Sequence, residues 1–183
     1  MRQEVRVNLL LPLTFIALFA SQQAPMTPKP GAEHKLLTAD AGTWDAVVEF
    51  HAEPGKPPMK SKGVEVNTIG CGGLCLITSF KGDMAGAPFA GAGVTTYDPK
   101  KQKYIGSWTD SMSAGLSIGE STYDAKTKKW SGVMEGPDLS GNIMKARSVT
   151  EVTAAGTRVF SLYGPGPDGK EAVMMKITYT RRK

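Results

Sequence analysis

Trp44-Asp45-Ala46-Val47-Val48-Glu49-Phe50-His51 decides the fold: Trp44, Ala46, Val48 and Phe50 fall on one side of an extended chain, and Asp45, Glu49 and His51 on the other. Successive side chains of a strand point to opposite faces, so this is a strand with one face buried and one wet. Just before it, residues 32–41 carry good helix formers and Gly42 supplies a stop, which predicts one short helix.

The alternation recurs downstream with turn signals between. Strands are expected near residues 60–68, 74–81, 94–97, 103–110, 116–123, 129–135, 143–153, 158–163 and 172–180. Residues 82–93, rich in small side chains and bearing Asp83, Met84 and Phe89, read as a longer loop, either a lid over a barrel mouth or a passive connection. About ten short strands joined by hairpin-length connections favour an up-and-down meander, which closes on itself to remove its edges. The expected architecture is mostly β: a closed or nearly closed antiparallel barrel with the early helix capping one end. A two-sheet sandwich is the alternative.

A chain of 183 residues, 40% hydrophobic and 21% charged, is the size and composition of one soluble domain. Its net charge of +5 is scattered over turns such as Lys100-Lys101 and Lys128-Lys129 and over the chain end Arg181-Arg182-Lys183, which argues against a nucleic-acid surface. At the other end, Arg2 and Arg6 precede an apolar run from Leu9 to Ala20 that is short for a membrane span. Residues 1–22 are therefore read as a signal peptide, 23–31 as a linker and 32–183 as the domain. An exported protein, periplasmic or extracellular, with no membrane span after cleavage is the expectation. In such a compartment Cys71 and Cys75 are able to pair across Gly72-Gly73-Leu74, and two buried free thiols are the other reading.

Several stretches resemble one family in the same order: Glu33-His34-Lys35-Leu36-Leu37, Gly42-Thr43-Trp44-Asp45, Lys81-Gly82-Asp83-Met84, Trp108-Thr109-Asp110-Ser111-Met112, Glu120-Ser121-Thr122-Tyr123-Asp124 and Ile177-Thr178-Tyr179-Thr180. They are similar to the bacterial family known as domain of unknown function 1579, a resemblance that spans nearly all of the expected mature chain. The family carries no established activity. Its barrel resembles the lipocalin-like group, which implies a cavity for a small ligand. Haem binding in that group needs an axial histidine on a barrel strand, and the last third of this chain has none, so no cofactor is expected.

Alternation nominates the interior. Tyr104, Gly106, Trp108 and Asp110 share a face, as do Leu116, Ile118, Glu120 and Thr122, and Ile143, Lys145, Arg147 and Val149. If Asp110 and Glu120 point inward, Arg147 is the partner that a buried carboxylate requires. Trp44, Phe89, Tyr104, Trp108 and Met112 would then wall a site for an apolar or amphipathic molecule, or would simply be core. The numerous methionines, Met84, Met112, Met134, Met144, Met174 and Met175, fit adaptable packing better than a soft-metal site. His34 and His51 lack metal-ligand spacing. Three functions compete: a ligand-binding barrel, a hydrolase using Asp110 or Glu120, and a filled barrel with a structural or docking role.

Overall fold

The computed structural model describes residues 27–183 apart from 53, 54, 85, 139 and 167. The expected signal peptide and the linker as far as residue 26 lie outside the described residues. Helix α1 (His34–Asp40) precedes ten strands: β1 (Gly42–Phe50), β2 (Met59–Gly70), β3 (Cys75–Met84), β4 (Ala87–Asp98), β5 (Lys103–Asp110), β6 (Ser113–Asp124), β7 (Lys129–Pro137), β8 (Ile143–Ala154), β9 (Thr157–Pro165) and β10 (Glu171–Arg181). Each strand pairs antiparallel with its sequence neighbours, and β1 also pairs with β10, Ala46 opposite Tyr179 and Val48 opposite Ile177. The sheet is thus a closed ten-stranded barrel. The sandwich is excluded, because no strand edge remains at which two sheets would part. No helix among the described residues is long and apolar enough to cross a membrane.

Residues 82–93 are not a loop. β3 continues to Met84 and β4 starts at Ala87, with the turn between them held by a hydrogen bond from the Gly86 amide to Asp83 Oδ1 (2.9 Å). The period-two signal was hidden because β4 alternates glycine with alanine here, leaving little hydrophobic contrast to read. Other hairpins use the same device. Asp98 Oδ1 accepts from the amides of Lys100 (2.9 Å) and Lys101 (3.1 Å), and Asp138 Oδ1 accepts from those of Ser140 (2.8 Å) and Asn142 (2.9 Å). An aspartate at a turn entry satisfies amides that the bend takes out of the ladder.

Helix α1 has seven residues and no side-chain N-cap, too short to persist alone, so packing holds it. Leu37 is buried against Leu76 and Tyr104, and the Tyr104 hydroxyl donates to the Glu33 carbonyl (3.0 Å). Tyr104 in turn meets Trp130 edge to face (4.4 Å between centroids) and Tyr97 at a tilt (5.0 Å). This aromatic plug seals the barrel end at which β1 begins. At the same end Cys71 and Cys75 are bonded, their Cα atoms 5.5 Å apart, across a turn in which Cys71, Gly72 and Gly73 all take positive φ.

The bridge closes a very short loop, for which chain entropy gives about 2 kcal/mol. Denatured protein is therefore expected to show no titratable thiol without reductant. A Cys71→Ser, Cys75→Ser double variant should lose about 2 kcal/mol in denaturant unfolding, and two free thiols in the untreated protein would contradict the bridge.

Candidate functional site

The barrel encloses a cavity of about 870 Å³. Its existence follows from which residues face inward. On β5 to β8 the lining positions include Gly106, Ser117, Gly119, Ser121, Gly136 and Ser148, too small to fill a ten-stranded barrel. The remaining wall is large and apolar: Val48, Phe80, Phe89, Trp108, Phe160 and Ile177 line the space or pack beside it. By strand position all six methionines singled out from the sequence, Met84, Met112, Met134, Met144, Met174 and Met175, line its rim half, the end opposite α1. Flexible thioethers give that half a wall that reshapes at little cost.

The floor is polar. Arg158 of β9 lies with its guanidinium between the rings of Trp44 (4.6 Å) and Tyr179 (4.1 Å), and Arg181 covers Trp44 as well (4.2 Å). The edge of Arg158 meets two carboxylates. Its Nη2 donates to Glu65 Oε1, and its Nε sits 3.0 Å from Asp40 Oδ1, close in charge but out of line for a hydrogen bond. Asn67 Nδ2 donates to Glu65 Oε1 (2.7 Å) and to Asp40 Oδ2 (3.2 Å), while Trp44 Nε1 donates to the Asp40 carbonyl (3.0 Å). Arg181 donates to the Ala39 and Ala41 carbonyls, so the two guanidiniums tie α1 to the barrel. Burial pushes the Asp40 carboxyl up to about 6, against the pull of Arg158 and with Glu65 adding to the rise. Burial likewise drives the Tyr179 hydroxyl well above its ordinary range, and Glu65 reinforces it.

The residues nominated from the sequence separate. Trp44, Phe89, Trp108, Asp110 and Met112 line the cavity. Tyr104 belongs to the plug beneath α1, where it is 4% exposed. Asp110 lies on the cavity side, yet its oxygens are engaged: Oδ2 accepts from Trp108 Nε1 (3.0 Å), and Oδ1 from the amides of Met112 (2.9 Å) and Ser113 (3.0 Å). Glu120 and Arg147 correct the inward reading. Glu120 lies on the outer face with Lys101 (2.6 Å) and Lys103 (2.8 Å), and hydrogen bonds from these two lower its carboxyl to about 2. Arg147 lies outside on the Tyr163 ring (4.0 Å), its Nη2 2.6 Å from Glu171 Oε2. The cause is the same for both. Leu116, Ile118 and Ile143 are 55%, 44% and 71% exposed, so the apolar faces that assigned Glu120 and Arg147 to the interior are the outer ones. Asp110 and Glu120 therefore stand on opposite faces of the wall and share no site.

Asp40, Glu65, Arg158 and Tyr179 were not among the nominated residues. Their signal lies in the same alternation, since Arg158 shares a face with Phe160 and Leu162, and Tyr179 with Ile177 and Arg181. Among the described residues no group of three or more His, Cys, Asp and Glu side chains is placed to hold a metal ion.

A family model described as protein of unknown function (DUF1579) matches residues 29–181. No curated protein matches the chain. Among solved structures, Rv2717c from M. tuberculosis superposes with a TM-score of 0.62 at 11% identity, over 85% of this chain and 100% of that one. The S-type phycobiliprotein lyase CPES from Guillardia theta gives 0.56 at 12% identity, over 82% and 93%. At such identities the likeness is one of fold.

The Asp40 value sets a pH dependence of definite sign. A carboxyl raised from 3.8 to about 6 holds its proton longer in the folded state, so its contribution to stability is complete below about pH 3.8 and lost as pH rises through about 6. Asp40→Asn has no such loss. The stability of the natural protein relative to Asp40→Asn should fall by up to about 3 kcal/mol between pH 3 and pH 7 in denaturant titrations, and a flat or rising difference would refute the shift.

Proposed function

This chain belongs to the family of proteins of unknown function known as DUF1579, and we propose that it binds a small apolar or amphipathic molecule inside the barrel. The observation that carries this reading is the cavity of about 870 Å³, lined by aromatic and thioether side chains above a polar floor. Well-packed interiors contain few voids larger than a water molecule, whereas ligand cavities span roughly 300–1,000 Å³. A barrel serving only as a scaffold gains nothing from inward glycines and serines, which forfeit the burial that larger side chains would supply. The hydrolase reading lacks its pair of carboxylates, because Asp110 closes a turn and Glu120 faces water.

Export to the cell envelope belongs to the same proposal. The Arg2, Arg6 and Leu9–Ala20 pattern supports it, and so does the Cys71–Cys75 bond, which persists in an oxidising compartment.

Protein purified without detergent, released into organic solvent and examined by mass spectrometry should yield a reproducible small molecule. The cavity itself is tested by filling it. Ser148 lines the cavity, so Ser148→Phe places a ring in the open space. The variant should keep its melting temperature within a few degrees and bind the neutral dye Nile red at least about tenfold more weakly. Equal uptake by the two proteins would place the dye elsewhere and defeat the reading.

A further inference from the structure

The platform formed by Trp108 points to the chemical class of the occupant. Trp108 on β5 is directly opposite Gly93 on β4, and Gly91 is the next residue of β4 on the same face. A Cβ atom on Gly91 would stand 2.2 Å from Cζ2 and 2.8 Å from Cη2 of the indole, and one on Gly93 would stand 3.2 Å from Cε3. Atoms on two sides of the six-membered ring therefore lie over two successive inward positions of β4, so the ring lies along the strand. A side chain at Gly91 would collide with the ring, and one at Gly93 would press on it and run into the Ser107 carbonyl oxygen, 2.4 Å from its Cβ.

The ring is fixed along its edge as well as beneath. Its Nε1 donates to Asp110 Oδ2 (3.0 Å), and Asp110 Oδ1 is held by the Met112 and Ser113 amides and by the Ser113 hydroxyl (3.1 Å). Trp108 nevertheless remains only half-buried and lines the cavity, so its free face is presented to that space. Phe89, two residues before Gly91 on β4, meets Phe80 edge to face (5.8 Å) beside it. A rigid aromatic face loses no rotamer freedom when a ligand settles on it, and flat π-systems gain from stacking beyond the area they bury. Saturated chains gain only the area.

We propose that the cavity takes a molecule with a planar aromatic or conjugated ring system, stacked on the Trp108 indole, with Gly91, Gly93 and Asp110 as positioning residues. This rests on the cavity-binding reading above. It assigns the ligand's flat portion to the β4–β5 wall and leaves the adaptable methionines to accommodate the rest.

The test uses two neutral probes with one carbon skeleton, naphthol and its saturated counterpart decahydronaphthol, titrated calorimetrically into the natural protein, Trp108→Leu, Trp108→Phe and Gly91→Ala. The natural protein is expected to prefer naphthol by about tenfold, the upper range for aromatic pairing. Trp108→Leu should abolish the preference, Trp108→Phe should keep part of it, and Gly91→Ala, whose methyl displaces the ring, should reduce it with every aromatic side chain present. The readout is the ratio of the two affinities, which a general loss of stability does not move. Equal binding of both probes by the natural protein, or an equal ratio in all four proteins, overturns the stacking assignment while leaving the cavity intact. If the natural protein takes up neither naphthol nor decahydronaphthol, and Nile red also fails to bind, the cavity reading falls with it.

Discussion

The pairing of β1 with β10 is the constraint on which the rest depends. Once the sheet closes, every strand has one inner and one outer face, and no residue is able to choose otherwise without slipping the register of its neighbours. The size of the inner side chains then settles whether the barrel is solid. Here the seam itself is solid, with Trp44, Ala46 and Val48 against Ile177 and Tyr179, and the space opens along the wall where β5 to β8 turn glycine and serine inward.

Closure also explains the polar floor. Charges at the base of an apolar cavity cannot be left to water, so the two acids Asp40 and Glu65 meet the Arg158 guanidinium, which lies over the Trp44 and Tyr179 rings, while Arg181 covers Trp44 and caps the carbonyls at the end of α1. The arrangement binds three separate parts of the chain: the end of α1, the middle of β2 and the paired ends of β9 and β10. Asp40 is its least settled member, because burial works against the charge that Arg158 favours. The helix is consequently more than a stopper, since its position depends on a half-buried titratable group.

Much of this was legible in the sequence. Strand number, closure, the early helix and the inward face of β1 all follow from period-two alternation and turn residues, which report local backbone geometry. The alternation misled where hydrophobic residues face water. Leu116, Ile118 and Ile143 made outer faces look like core and drew Glu120 and Arg147 inside with them. It was silent in the first half of β4, where glycines at inward positions carry no hydrophobic signal although they make the seat for Trp108. The floor cluster needs residues 40, 65, 158 and 179 to converge, which only the barrel's closure brings about. Sequence periodicity reports faces, and it does not report which faces meet.

The hairpin connectivity carries a consequence for how the molecule assembles. Nine of the ten strand pairings join consecutive strands through connections of two to eight residues, whereas the tenth unites strands at opposite ends of the domain. Loop entropy makes the local pairings quick and the last one slow. Until that last pairing forms, β1, the first strand to emerge during synthesis, keeps an unpaired edge. That strand has to wait for the rest of the chain before its partner exists, and an open edge is the point at which one molecule most readily pairs with another.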